Sequence, residues 1–303
     1  MGAKDDGAVS STGVRVEGLH HYTISVADID ESAAWYSKVL GFKSIYQNDG
    51  HAWGKVAYMQ APGFLLEMFE TPDPRPLPSY AGGPEPDTDL KVSGHKHFAL
   101  LHRNLTDAVE ELKALDANVV SFKIVSFEGM GEFRAVFLAD HTGGLIELPE
   151  DDSSLSAPSP GISLGKEPLA IKGLHHVALC VQDRDEAVEW YSKMLGFTVA
   201  TTFEVPHIGL SSAMMQGPGF WMEIHCMAGA APVPAERRDP ASDVRTLGNK
   251  YFALGVRDAG SAAAQLKRSG VNILSVDETV KGIRRVFISD NSGIPIELFQ
   301  LVN

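Results

Sequence analysis

The chain has 303 residues, 44% of them hydrophobic and 21% charged, which is the make-up of a folded globular protein of about two domains and excludes a disordered chain. A formal net charge of -13 with no cluster of lysines or arginines excludes nucleic acid and anionic membrane surfaces as partners, leaving small molecules. No apolar run reaches the roughly 18 residues of a membrane span, and the first residues lack the apolar core of a secretory signal, so a cytoplasmic location is expected.

Residues 1–14 are small and polar and read as a flexible tail. Tyr22 to Val26 reads as a strand, and Asp28 with Glu31 three residues later forms a helix-starting capping box. Trp35, Tyr36, Val39 and Leu40 make the apolar stripe of that helix, and Gly41 is placed to end it. Strands near Phe42 to Tyr46, Lys55 to Gln60 and Phe64 to Phe69 follow. The Pro-rich stretch from Thr71 to Pro86 is expected to be a surface loop, as is its counterpart from Gly229 to Pro240. The order then repeats: a strand from His97 to Leu101, a helix near Leu105 to Leu115, and strands near Val119 to Val125, Phe133 to Leu138 and Leu145 to Leu148. Residues 151–167 lack any apolar period and form a linker.

The second half restates the first. Gly18-Leu19-His20-His21, Trp35-Tyr36-Ser37-Lys38 and Leu40-Gly41-Phe42 return roughly 150 residues later as Gly173-Leu174-His175-His176, Trp190-Tyr191-Ser192-Lys193 and Leu195-Gly196-Phe197. The fold class is therefore α+β, built from four βαβββ units at 18–70, 94–149, 173–226 and 248–300. These are expected to form one domain over 15–150 and a second over 168–303. Cys180 and Cys226 lie in strand-like stretches and read as small buried hydrophobes.

Two positions in each unit bear comparison: the start of the first strand and the middle of the last. They hold His21 and Glu67, His97 and Glu147, His176 and Glu223, and finally Tyr251 and Glu297. A glutamate flanked by aliphatic residues in a strand is costly to bury without a partner, and four such glutamates in register with histidines point to a metal ion. Two imidazoles and two carboxylates suit octahedral Zn²⁺, Ni²⁺, Co²⁺, Mn²⁺ or Fe²⁺ with positions left for substrate oxygens.

On the strand start Leu19-His20-His21-Tyr22, the helix end Trp35 to Phe42, and the endings Ile146-Glu147-Leu148 and Ile296-Glu297-Leu298, the chain resembles tandem members of the vicinal oxygen chelate superfamily. That is the group of glyoxalase I, bleomycin-type resistance proteins and extradiol dioxygenases. The resemblance implies cup-shaped mixed sheets, each made by two units, with metal ligands on the first and last strands of both. It gives the first half a full set of His21, Glu67, His97 and Glu147, and the second half a degenerate set with Tyr251 in a histidine's place. In members that pair units across halves, the set becomes His97, Glu147, His176 and Glu223.

His51 and His207 each lie sixteen residues before a glutamate, Glu67 and Glu223, and His51 is a candidate proton shuttle. His20, His95 and His175 adjoin the ligand positions and, with a period of two, should point away. His102, His141 and His225 receive no role beyond a turn for His141.

The chemistry implied by the resemblance is electrophilic: a metal-stabilised enolate, with Glu67 or Glu147 as the base, in an isomerase, epimerase or lyase acting as a monomer or homodimer on a small oxygenated substrate. Ser25 and Thr71 stand where glyoxalase I has its glutathione-binding arginine and asparagine, so a glutathione adduct is not the expected substrate. A ring-cleaving Fe(II) dioxygenase using His21, His97 and Glu147 is the alternative, although Phe137 and His141 replace the tyrosine and proline of that signature. The third class is a metal-free binding protein whose cup is lined by aromatics such as Trp53, Phe64, Phe220 and Trp221.

Overall fold

A computed structural model of the chain describes residues 13–51, 53–77, 89–102, 105–127, 131–150, 171–278, 280 and 282–302. The linker and most of the tail read from the sequence lie outside these residues. Four βαβββ units are present. The first comprises β1 (Gly18–Val26), α1 (Ile29–Leu40), β2 (Lys43–His51), β3 (Gly54–Ala61) and β4 (Phe64–Glu70). The second comprises β5 (Gly94–Leu101), α2 (Leu105–Ala114), β6 (Asn118–Phe127), β7 (Gly131–Ala139) and β8 (Leu145–Pro149). The third runs through β9 (Gly173–Val181), α3 (Arg184–Leu195), β10 (Thr198–Val205), β11 (Leu210–Gly217) and β12 (Phe220–Met227). After a four-residue helix α4 (Pro240–Asp243), the fourth holds β13 (Gly248–Gly255), α5 (Ala259–Arg268), β14 (Asn272–Asp277), β15 (Ile283–Ser289) and β16 (Pro295–Leu301).

The local signals act as their chemistry requires. The Asp28 carboxylate accepts from the Glu31 amide at 2.9 Å and caps α1, and Asp183 does the same for Glu186 at 3.0 Å in α3. Gly41 and Gly196 close these helices at φ 70° and 74°, in the left-handed region where a side chain is disfavoured.

The sheets are not those expected from chain order. β1 pairs antiparallel with β13 and β5 pairs antiparallel with β9, so one eight-stranded sheet joins units one and four, and the other joins units two and three. Each cup thus takes one unit from each half, instead of both from the same half. Backbone hydrogen bonds between strand edges carry no residue code, so equivalent first strands are able to pair either way. The two units of one half meet through side chains. Tyr36 of α1 donates to Asp140 at 2.8 Å, in the turn between β7 and β8, and Tyr191 of α3 donates to Asp290 at 3.0 Å between β15 and β16. One apolar core, including Tyr22, Ile24, Phe98, Val177, Leu179, Phe252 and Leu254, lies between these layers.

Four sequence expectations change in detail. Val14, assigned to the tail, is buried and its amide bonds Met194 O at 2.9 Å. The stretch from Gly229 to Pro240 is more than a surface loop: Arg237 turns inward and donates to Asp243 at 3.1 Å and to Asn249 O at 2.7 Å. His141 faces Ser32, 2.8 Å away, while the turn itself is built by Asp140, which accepts from the Thr142 and Gly144 amides. Cys180 and Cys226 are free thiols; Cys180 is buried, whereas Cys226 is only partly so.

Candidate metal centre

Sheet pairing decides which ligand positions meet. His21 and Glu67 belong to the first cup, His97 and Glu147 to the second, so the within-half set is split between two sites. In the second cup His97, Glu147, His176 and Glu223 converge, with one ligand atom from each lying within 4.8 Å of all the others. His97 Nε2 is 2.8 Å from Glu147 Oε2, His176 Nε2 is 3.2 Å from both Glu147 Oε2 and Glu223 Oε2, and the two Nε2 atoms are 3.3 Å apart.

These separations suit a divalent ion. Ligands about 2.1 Å from a metal and at right angles to one another lie about 3.0 Å apart. Without an ion, His176 holds a proton strongly. Burial by itself lowers the His176 imidazole, but the Glu147 and Glu223 carboxylates overcome this and raise it to about 10. Burial raises Glu147, and His176 and His97 bring it well below the usual carboxylate range.

The neighbouring histidines do not point away as a period of two requires. His176 pairs with Ala99 whereas Leu174 pairs with Leu100, so His175 is the extra residue of a β-bulge; His20 occupies the same place between Leu19 and His21. A bulge re-aims its side chain. His175 Nδ1 thereby lies 2.7 Å from His176 Nδ1, and His20 Nδ1 2.8 Å from His21 Nδ1. With the proton on His176 Nδ1 donated to His175, Nε2 keeps the lone pair that a metal requires. His95 does point elsewhere, donating from Nε2 to Pro295 O of the other sheet at 2.8 Å.

His225, given no role from the sequence, is also at this site. It lies two residues beyond Glu223 on the same strand face, with Nε2 3.4 Å from Glu223 Oε2 and Nδ1 2.8 Å from Ser212 Oγ. The repeat holds the signal that finds it, because Phe69 occupies the equivalent place after Glu67. His51 ends β2 in the first sheet, and its side chain is outside the described residues. His207 is exposed on a short 3-10 helix after β10.

The first cup brings together His21, Glu67 and Glu297, with Tyr251 buried beside them. His21 Nε2 lies 3.2 Å from Glu67 and 3.5 Å from Glu297. Arg285 Nη2 donates to Glu67 Oε1 at 2.7 Å, Thr23 donates to Glu67 Oε2 at 3.0 Å, and the Tyr58 hydroxyl makes a short hydrogen bond to Glu67 Oε1. Burial by itself lowers His21, but Glu67 and Glu297 raise it to about 9. Trp53 packs between Phe69 and Phe287, with ring centroids 5.7 Å from each. Glu67 is 0% exposed where Glu223 is 8%.

The profile of the Glyoxalase/Bleomycin resistance protein/Dioxygenase superfamily matches residues 18–148 and again 173–298. Along 94% of its length the chain is 25% identical to the Bacillus subtilis (strain 168) protein described as "Putative ring-cleaving dioxygenase MhqA", over 87% of that protein. In structure it is similar to glyoxalase I from Zea mays, with a TM-score of 0.66 at 19% identity, covering 93% of this chain and 92% of that one. It is also similar to a "putative dioxygenase" from Bacillus subtilis, with a TM-score of 0.63 at 15% identity, covering 95% and 86%. Two repeats of a βαβββ pair, two curled eight-stranded sheets and a match over both halves lead to one conclusion: the chain belongs to the Glyoxalase/Bleomycin resistance protein/Dioxygenase superfamily.

Proposed function

We propose that this protein is a metal-dependent enzyme of the isomerase, epimerase or lyase type, with one active site in the cup of units two and three. The observation that carries this reading is the convergence of two imidazoles and two carboxylates on one point in the less tightly closed of the two cups. His97, Glu147, His176 and Glu223 would hold the ion, which when bound supplies Lewis acidity to a carbonyl or hydroxyl oxygen of the substrate. Zn²⁺, Ni²⁺, Co²⁺, Mn²⁺ and Fe²⁺ all accept such a set.

Glu147 and Glu223 divide the work. Glu147 Oε2 is shared by both histidines, at 2.8 and 3.2 Å, and serves to anchor. Glu223 touches only His176 of the ligand pair and is the more exposed of the two, so it is the carboxylate free to take a proton from the carbon beside a polarised carbonyl. His225 and Ser212 stand behind it to hold its orientation. The base role read for Glu67 moves to Glu223 because Glu67 is sealed in the other cup. Small α-oxygenated carbonyl compounds are the substrate class.

The Bacillus subtilis relative over nearly the full chain supports a second reading, ring cleavage with O₂. Against it, the residue facing Glu147 across β7 and β8 is Phe137, which has no hydroxyl to exchange protons with a catecholate. One experiment separates the two: elemental analysis of purified protein, followed by a substrate screen in D₂O with and without oxygen. Solvent deuterium at the carbon next to a carbonyl under anaerobic conditions is expected. Oxygen consumption with catechols or hydroquinones, and no exchange, would replace the isomerase reading by the dioxygenase one.

A further inference from the structure

The first cup keeps three of four ligand positions, His21, Glu67 and Glu297, yet a cation the protein already owns stands among them. Arg285 is 2% exposed, with Nη2 2.7 Å from Glu67 and 2.9 Å from the Tyr58 hydroxyl, and Nε 3.6 Å from Glu297. Two carboxylates sealed from water require about two compensating positive charges. The guanidinium is one of them, and His21 Nε2 lies 3.2 Å from Glu67 and 3.5 Å from Glu297.

Comparison with the second cup isolates what differs. Thr23 lies beside Glu67 across β1 and β4, where Ala178 lies beside Glu223. Tyr58 faces Glu67 across β3 and β4, where Met214 faces Glu223. Arg285 stands two residues before Phe287, the partner of Glu297, where Ala135 stands two residues before Phe137, the partner of Glu147. Thr23, Tyr58 and Arg285, three donors to Glu67, are thus each replaced in the second cup by a side chain that cannot donate. Tyr251 takes the place of the second histidine, and Trp53, packed on Phe69 and Phe287, takes the place of Gly209. A divalent ion entering the first cup would meet a guanidinium within a few ångströms and would be repelled.

We infer that Arg285 is a resident cation that substitutes for a metal ion in the cup of units one and four, so that each chain binds one metal although two clusters of histidine and glutamate are present. The first cup is then a brace between the first strands of the two halves, and room for a metal ion is opened by removing the guanidinium.

Equilibrium dialysis against Zn²⁺ with elemental analysis tests this, using circular dichroism to confirm folding. Wild-type protein is expected to hold one zinc per chain, and the double variant His97→Ala/His176→Ala none. Arg285→Met keeps an unbranched apolar stem, removes the guanidinium and its charge, and is expected to gain one zinc per chain over wild type. Stoichiometric zinc in the His97→Ala/His176→Ala protein overturns the inference, because Arg285 is still in place there. A folded Arg285→Met protein that gains no zinc overturns it as well. If Arg285→Met does not fold, the double variant alone decides. Wild type with no zinc would defeat the active-site reading of the second cup, whereas the gain in Arg285→Met would still judge the first.

Discussion

His97 and His176, 79 positions apart in the chain and on neighbouring strands, face each other with their Nε2 atoms 3.3 Å apart. Both are on first strands of their units, and each adds a carboxylate from the last strand of its own unit, Glu147 at 2.8 Å and Glu223 at 3.2 Å. The site therefore exists only because the third unit pairs with the second.

The first consequence is a ranking of histidines. His176→Ala is expected to remove the bound metal and reduce activity by at least about 100-fold, with the fold retained, because the other three residues leave one imidazole to bind the ion. His21→Ala should keep metal and activity, though it loses stability by leaving Glu67 and Glu297 short of a charge partner. Metal stoichiometry and turnover measured side by side check this. Loss of metal in His21→Ala with retention in His176→Ala reverses the assignment of the cups.

Glu223→Gln keeps an oxygen ligand and removes the base. At saturating metal its kcat should fall by about 100- to 10,000-fold while bound metal stays near one per chain. Glu147→Gln should instead show its defect in metal affinity, since that oxygen is common to both histidines. Identical behaviour of the two variants would deny the division of labour.

The bulged histidine gives a third test. His175→Ala removes the partner 2.7 Å from His176 Nδ1 and frees the ligand ring to rotate, for an expected loss of about 10- to 100-fold in metal affinity. Titration with a metal-sensitive dye reads the change. An unaltered affinity would mean that the bulge, not the second ring, orients His176.

A pH-dependent contribution to stability arises at Asp290. Burial raises its carboxyl from 3.8 to about 6, partly opposed by the Ile294 amide and the Tyr191 hydroxyl. A folded-state value above the unfolded one stabilises the fold below about pH 3.8, and this contribution is lost as pH rises through about 6. Asp290→Asn mimics the neutral acid and should melt like wild type near pH 4 but several degrees higher at pH 7. Thermal melts of both proteins across that range check the sign; a variant less stable than wild type by the same margin at both pH values would refute it.

Much of the fold was legible because it depends on short-range chemistry. The cap at Asp28, the stop at Gly41 and the apolar run in Phe64 to Phe69 act within a few residues, and the repeated order of elements identified all four units. The His and Glu positions were legible for the same reason, since buried glutamates in apolar strands need partners whatever the topology. The roles of His175 and His225 were not. His175 turns toward the ligand through a bulge set by pairing with β5, and His225 acquires a neighbour only when β11 brings Ser212 alongside.

What the sequence determined by itself is a fourfold βαβββ repeat with a metal-binding vocabulary in seven of its eight ligand positions. Which of those residues share a site was left to the tertiary structure, because strand edges pair through backbone groups common to all units, and the choice of neighbour rests on packing across the whole chain. The same pairing brought Arg285 against Glu67, 218 residues away, in one cup, and brought His97, Glu147, His176 and Glu223 together in the other.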